Sequence, residues 1–345
     1  MNEKLQGTVT HVRSVLCEVD ADGRTYQCKA RGRLVESDTG RSKPLAVGDR
    51  VVVILTDEGE GVIEEVLPRE TKLSRRSPRD PRIEHVIAAN VDQLLIVGSV
   101  RRPPLNLRII DRYVIAGEAG GLEPVVCINK MDLVEDESKA QQAAEIYRGM
   151  EYDTVLTSAK TGRGIPALRE VLQDHSTVLA GHSGVGKSAL INAVQPGLEL
   201  RTGPVQTKGR HTTTTVSLLK LDFGGYVVDT PGIREFTVWE IEPQEVAQFF
   251  PQIWELSHGC KMPDCTHAHE PSCAVKEALE RGDLPEQRYE SYLRILESLE
   301  THEVPRDTDV EKPDRQISKK KRRPSRRSRK QRLRRQYEED LDEPL

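Results

Sequence analysis

The sequence predicts a multidomain chain: a small all-β barrel, then an α/β domain on a mostly parallel sheet, then a helical metal-binding module. Three observations carry this reading. Five short β-like runs broken by turn residues occupy residues 1–72. Over residues 89–235 the rhythm changes to strands alternating with helices, the pattern of a parallel sheet covered by helices. Over residues 236–302, helical patterns flank a cluster of three cysteines and histidines. A length of 345 residues, at roughly 150 per domain, accommodates two domains or three small ones.

The N-terminal runs are GTVTHV, SVLCEVD, RTYQCKA, RVVVILTD and GVIEEVLP, with Asp22-Gly23 and Gly48-Asp49 as turns. An OB-fold barrel fits them and would offer a nucleic-acid-binding face, although other small barrels share the pattern. The next stretch, TKLSRRSPRDPR, is basic and broken by proline, so residues 73–88 read as a linker. Strand-like runs QLLIVGSV, PVVCINK, TVLTSAK, STVLAGHS, VSLLKLDF and YVVDT follow, with helical patterns at 106–119, 137–149, 165–174 and 187–194. PQEVAQFFPQIWELS and PEQRYESYLRILESLE read as helices of the last module, with Asp283 as N-cap of the second.

No run of eighteen apolar residues occurs, which argues against a membrane span, and the first residues lack the apolar core of a secretory signal. A cytoplasmic monomer is therefore expected. The net charge of −4 is unevenly spread: residues 306–335 carry 15 Lys+Arg against 4 acids, and residues 336–345 carry five acids and no base. Residues 303–345 read as a disordered tail whose basic block suits RNA or serves only solubility. Cys17, Cys28 and Cys127 sit singly in strand-like runs and read as buried, inert thiols.

Gly181-His182-Ser183-Gly184-Val185-Gly186-Lys187-Ser188 matches G-x-x-x-x-G-K-[ST] between a strand and a helix that continues through Ala189. Its glycines let successive backbone N–H groups curl around phosphate oxygens, and the helix N-terminus adds free donors. Lys187 would bridge the terminal phosphates and Ser188 would ligate Mg²⁺. Forty-odd residues on, Asp229-Thr230-Pro231-Gly232 ends a strand. There Asp229 can hold Mg²⁺ and the Gly232 N–H can face the γ-phosphate.

Asn129-Lys130-Met131-Asp132 and Ser158-Ala159-Lys160 end two further strands. Guanine presents N1–H and a 2-amino group side by side, and the Asp132 carboxylate can accept from both; adenine lacks that pair. Asn129 would tie the base loop to the phosphate loop, Lys130 would cover the ring, and the Ala159 N–H would donate to O6. The expected ligand is GTP or GDP. In ordinary Ras-like GTPases the phosphate loop comes first; here the base loops precede it, so the domain is predicted to be a circularly permuted P-loop domain.

Cys260-x4-Cys265-x-His267-x5-Cys273 supplies three thiolates and an imidazole, the ligand set of a closed structural Zn²⁺ site, with His258 and His269 as competing nitrogen donors.

In the order NKMD, SAK, GHSGVGKS, DTPG, in Gly209-Arg210-His211-Thr212-Thr213-Thr214 and in its cysteine cluster, the sequence resembles the circularly permuted ribosome small-subunit-dependent GTPases, the RsgA (YjeQ/EngC) family. The resemblance covers roughly residues 1–300 and leaves out the basic-then-acidic tail. It implies an OB-fold for the barrel, His267 as the nitrogen ligand, and a GTPase that binds the small ribosomal subunit and its rRNA during late maturation. The threonines read as switch I, with Thr213 and Thr214 the candidate Mg²⁺ ligands. Ile233 stands where many Ras-like enzymes have a water-orienting glutamine, so His211 is expected to position the water. A nucleotide-gated RNA-binding module with incidental hydrolysis is the alternative.

Overall fold

Apolar residues recur at alternate positions along most of the N-terminal strands, and this period places one face of each strand inside a closed barrel. The computed structural model describes residues 4–13, 16–31, 45–56, 60–76, 84–198, 216–229, 241 and 243–300. Strands β1 (Lys4–Arg13), β2 (Leu16–Ala21), β3 (Arg24–Ala30), β4 (Arg50–Leu55) and β5 (Gly61–Val66) close in the order β1-β2-β3-β5-β4-β1. The pairing is antiparallel except between β3 and β5. Val9, Cys17, Val19, Cys28, Val51, Val53 and Ile63 fill the interior. At Gly61 a Cβ would lie 2.4 Å from the Cys28 sulfur, so only glycine lets that closure form. This is an OB-fold barrel. Burial pushes the Cys17 thiol up to about 12 and Cys28 to about 11, which makes both inert packing residues.

Residues 73–88, read from the sequence as a linker, contain ordered structure. Strands β6 (Lys72–Arg76) and β7 (Glu84–Ala89) pair antiparallel from Lys72↔Ala89 to Arg76↔Glu84. Leu73 and Ala88 are fully buried in this hairpin. Pro78 and Pro81, which suggested a break, fall between the two strands in sequence.

The α/β sheet comprises β8 (Gln93–Ser99), β9 (Glu123–Asn129), β10 (Thr154–Leu156), β11 (Ser176–Ala180), β12 (Val216–Lys220) and β13 (Tyr226–Asp229), in spatial order β10-β9-β8-β11-β13-β12. All pairs are parallel except β12–β13. The central strands bury both faces by alternation. Leu94 and Ile96 of β8 face the core shared with helices α1 (Leu107–Ala119) and α2 (Ser138–Arg148). Leu95 and Val97 face helices α3 (Ile165–Leu172) and α4 (Lys187–Val194). From β8 the chain winds toward β10, and from β11 toward β12. The crevice beyond the strand ends, between β8 and β11, is thus the topological switch point where such sheets bind ligands.

Barrel and sheet are hydrogen-bonded into one surface. β1 shifts register between Val9 and His11, so its first half pairs with β4 and its end with β12, His11↔Ser217 and Val12↔Val216. Gly48 fixes the second contact: its N–H donates to Val9 O at 2.8 Å, and its carbonyl accepts from Asn90 Nδ2 at 3.0 Å.

The last module begins with a 3₁₀ helix, Pro243–Phe249, followed by α5 (Pro251–Ser257), α6 (Ala274–Arg281) and α7 (Glu286–Glu300). Phe250, Ile253, Val275, Tyr292 and Leu296 join the core beneath α1 and α2, so residues Met1–Glu303 form one compact unit. Arg288 of α7 reaches the buried Asp111 of α1, Nη1 to Oδ1 at 2.5 Å, and Tyr147 of α2 donates to the same oxygen at 3.0 Å. Asp283 does not cap α7: the Pro285 carbonyl accepts from Tyr289 N, and Asp283 pairs with Arg281 at 2.8 Å. The Pro285 carbonyl is the first acceptor of the helix, which starts at Glu286, so Asp283 stands two residues ahead of the cap position. No helix among the described residues is long and apolar enough to cross a membrane.

Gly48 has φ +88°, and a Cβ there would lie 1.9 Å from the Ala89 carbonyl oxygen. Gly48→Ala is expected to destabilise the protein by about 2–5 kcal/mol through backbone strain and overpacking. Chemical denaturation checks this; an unchanged midpoint contradicts it.

Candidate functional site

The phosphate motif forms the turn between β11 and α4, at the crevice. Gly181, Gly184 and Gly186 have φ of +139°, +85° and +103°, conformations that L side chains rarely adopt. Val185 is buried and anchors the loop, while His182, Ser183 and Gly184 are exposed. Lys187 Nζ donates back to Gly181 O at 2.6 Å and His182 O at 3.2 Å, which holds the ammonium across the loop. His182 Nδ1 lies 2.9 Å from Ser183 O. Ser188 and Ala189 occupy the first turn of α4, half-buried.

Asn129 at the end of β9 joins three segments. Its Nδ2 donates to Val185 O at 2.9 Å. Its Oδ1 accepts from Ala159 N at 3.2 Å and Thr157 Oγ1 at 3.3 Å. A Cβ on Gly186 would lie 2.4 Å from this Nδ2, so the third glycine of the motif makes room for the bridge. Lys130, at φ +65°, donates to Gly184 O at 2.5 Å and to Arg102 O. Burial lowers its pKa, Asp132 opposes that shift, and Arg102 adds to it. Met131 is buried and its N–H donates to Thr157 O at 3.1 Å. Asp132 is exposed at the crevice, and Ser158 Oγ donates to its Oδ1 at 2.6 Å. Ser158 Oγ also accepts from Thr161 N at 3.3 Å, which orients the hydroxyl toward the carboxylate. Lys160 is exposed beside Ala159. The arrangement presents a fixed carboxylate and a cationic phosphate loop in one crevice.

Cys260, Cys265, His267 and Cys273 converge, with ligand atoms all within 4.8 Å of one another. Cys260 Sγ lies 3.7 Å from Cys273 Sγ, and His267 Nδ1 lies 3.5 and 3.4 Å from those two sulfurs. A tetrahedron with metal–sulfur bonds of about 2.3 Å and a metal–nitrogen bond of about 2.05 Å has S···S edges of about 3.8 Å and S···N edges of about 3.5 Å. The Cys260, His267 and Cys273 edges therefore match a tetrahedral ion, and Cys265 lies within 4.8 Å of them as the fourth ligand group. Tyr289 and Tyr292 donate to the carbonyls of His267 and Thr266 at 2.7 and 2.6 Å, which braces the ligand loop against α7. His258 instead lies beside Trp254, its Nδ1 2.8 Å from the Trp254 carbonyl, and His269 is exposed.

Comparison with known proteins matches this geometry to a family. The RsgA GTPase model matches residues 66–239 and the RsgA N-terminal domain model residues 6–63. The small ribosomal subunit biogenesis GTPase RsgA of Thermotoga maritima is 42% identical over 306 residues, covering 87% of this chain and 98% of that protein. The chain belongs to the RsgA GTPase family. Another relative, from Gemmatimonas aurantiaca, is 43% identical over 283 residues, covering 80% of this chain and 91% of its own length. Among solved structures, YjeQ from Thermotoga maritima superposes with a TM-score of 0.70 at 41% identity, covering 86% of this chain and 99% of that one. YloQ, described as a circularly permuted GTPase, gives 0.66 at 34%, covering 88% and 97%. Membership of the RsgA GTPase family makes this chain a GTP-hydrolysing enzyme and accounts for base loops that precede the phosphate loop.

Within that family frame, His211, Thr213, Thr214 and Gly232 lie outside the described residues, and Asp229 is described as the last residue of β13 through its backbone pairing with Ser217. Sequence reasoning missed Thr157, which is fully buried and donates to Asn129. It also missed Tyr289 and Tyr292 behind the metal cluster; their i, i+3 spacing on an amphipathic helix was the available signal.

Asn129→Ala leaves the Val185 carbonyl and the Ala159 N–H without their partner, at about 1–3 kcal/mol each. Nucleotide affinity measured by calorimetry is expected to fall at least tenfold, with a lower melting temperature. Wild-type affinity in that variant would refute the bridging role.

Proposed function

We propose that the protein binds the small ribosomal subunit, acts in its late maturation, and hydrolyses GTP to GDP and phosphate to time its own release. The observation that carries this reading is the Ser158-oriented Asp132 carboxylate, held in one crevice with the phosphate loop by Asn129. Relatives that share most of the chain are themselves described as small ribosomal subunit biogenesis GTPases. Asp132 accepts from guanine N1–H and the 2-amino group, Lys130 lies along the ring, and the Ala159 N–H, which donates to Asn129 Oδ1 at 3.2 Å, shares its hydrogen with O6. Backbone N–H groups from Gly184 to Ser188 and the Lys187 ammonium hold the phosphates, offsetting charge that builds as the γ-phosphoryl leaves. Ser188, a switch I threonine (Thr213 or Thr214) and Asp229 would hold Mg²⁺, which supplies charge neutralisation between the terminal phosphates. Gly232 N–H donates to the γ-phosphate. His211 positions the attacking water when the protein is bound to the subunit, in the role that Ile233 cannot fill. The barrel and the C-terminal module contact rRNA.

GTP turnover with and without purified small subunits tests this directly. Turnover is expected to be slow alone and strongly stimulated by subunits, with stimulation lost in His211→Ala. Binding without stimulation would instead support an RNA-binding module whose hydrolysis is incidental.

The Cys260, Cys265, His267, Cys273 set is proposed to hold one Zn²⁺. Four protein ligands leave it no open position, so its contribution is folding energy rather than chemistry. Metal analysis is expected to find one zinc per chain, and Cys273→Ser to lose the metal and lower the melting temperature. A purified protein that melts identically with and without chelator would contradict the structural role.

A further inference from the structure

The loop that joins β8 to α1, Val100 to Asn106, rests on the phosphate loop and carries two consecutive arginines. Its backbone is held from three sides. Lys130 Nζ donates to the Arg102 carbonyl and to Gly184 O. Ser99 Oγ donates to the Pro103 carbonyl at 2.8 Å. Pro103 Cδ lies 3.8 Å from where a Cβ on Gly184 would be, so the loop covers the middle glycine of the motif. Arg102 itself sits at φ +53°, a left-handed conformation uncommon for arginine. The main chain thus sets the origin of the Arg102 side chain at the rim of the crevice.

The charges at this rim are not balanced. Arg108, Arg148, Arg163 and Arg169 of the same domain pair with Glu290, Glu145, Glu137 and Asp222. Arg101 and Arg102 are exposed and make no ion pair among the described residues. Arg102 lies close enough to Lys130 to disfavour its charged form, in addition to the effect of burial; Asp132 is the carboxylate that counters it. The Arg102 guanidinium and the Lys130 ammonium therefore lie near one another at the rim of the phosphate loop, with the exposed Arg101 next in the chain, a concentration of positive charge that an anion relieves. A guanidinium suits phosphate because its planar fork matches two phosphate oxygens.

We propose that Arg101 and Arg102 form a phosphate-binding lip on the rim of the phosphate loop, separate from the backbone cradle. The phosphate comes either from the bound nucleotide or from the backbone of RNA docked across the crevice mouth. This inference rests on the reading of the crevice as a guanine-nucleotide site.

The test uses Arg102→Asn in the full-length protein, because asparagine tolerates the left-handed region and Lys130 reaches only the main chain of residue 102. Arg101→Gln is combined with it. Calorimetry with GTP and GDP in the absence of RNA reads the first source: a loss of about tenfold or more, as for a lost charged hydrogen bond, assigns the lip to the nucleotide. Small-subunit binding over a salt series reads the second. Unchanged nucleotide affinity with a log K against log salt slope reduced by about one per lost contact assigns it to RNA. Arg102→Lys should recover part of either effect, and Arg108→Ala should reproduce neither. Wild-type values in both arms overturn the proposal. The preference of the unsubstituted protein for GTP over ATP is measured alongside. If that preference is absent, the guanine-nucleotide reading fails; if it is present while both arms are flat, only the lip fails.

Discussion

One buried carboxamide governs the geometry of the crevice. Asn129 hydrogen-bonds the phosphate loop with its nitrogen and the Ser158-Ala159 loop with its oxygen, and it is 1% exposed. Inside a low-dielectric site each of these partners would cost free energy if left unpaired, so the three segments behave as one rigid body. The spacing between the Asp132 carboxylate and the backbone of the Gly181–Ser188 turn is thereby set by the protein's own hydrogen bonds. Gly186 is the condition for this bridge, since any side chain there would displace the Asn129 amide. The third glycine thus serves the Asn129 bridge as much as the turn it belongs to.

Around that crevice the other modules are attached by backbone pairing and by one buried ion pair. β12 stands between β13 and the barrel strand β1, so an edge strand of the α/β sheet also carries the barrel. A hydrogen-bonded ladder has a definite register, and the barrel is oriented accordingly. The Arg288–Asp111 pair joins the last helix to α1, with the Arg288 guanidinium 4.7 Å above the Phe250 ring. Buried pairs contribute little net stability because both charges are desolvated, but an unpaired Asp111 would be costly. Its effect is to select one seating of the module on a surface that is otherwise apolar.

Contiguous motifs were legible in the sequence and long-range supports were not. GHSGVGKS, NKMD and SAK each contain their own turn and ligand chemistry, so the strands before them and the helix after the first followed from local pattern. The Cys/His spacing pointed to a metal for the same reason. The hairpin at 72–89 was hidden because proline and arginine between the strands outweighed a short buried alternation at Leu73 and Ala88. Asp283 was misread because side-chain chemistry at a helix start was weighed above the position of the first backbone acceptor, the Pro285 carbonyl. Thr157 acts only through partners distant in sequence and nothing local marks it, while the i, i+3 spacing of Tyr289 and Tyr292 puts them on one helix face without saying what that face meets.

The sequence by itself determined which atoms could grip phosphates, a guanine edge and a tetrahedral ion, because those choices depend on residue chemistry and short spacing. It also determined the permuted order, since order is what a sequence is. The tertiary structure alone decided that the barrel is sewn to the sheet through β1 and β12, that the metal module shares its core with α1 and α2, and that the backbone of Arg102 and Pro103 lies against the phosphate loop. Those outcomes depend on register and on surfaces that meet from segments far apart in the chain, and no short window of sequence contains both sides of such a contact.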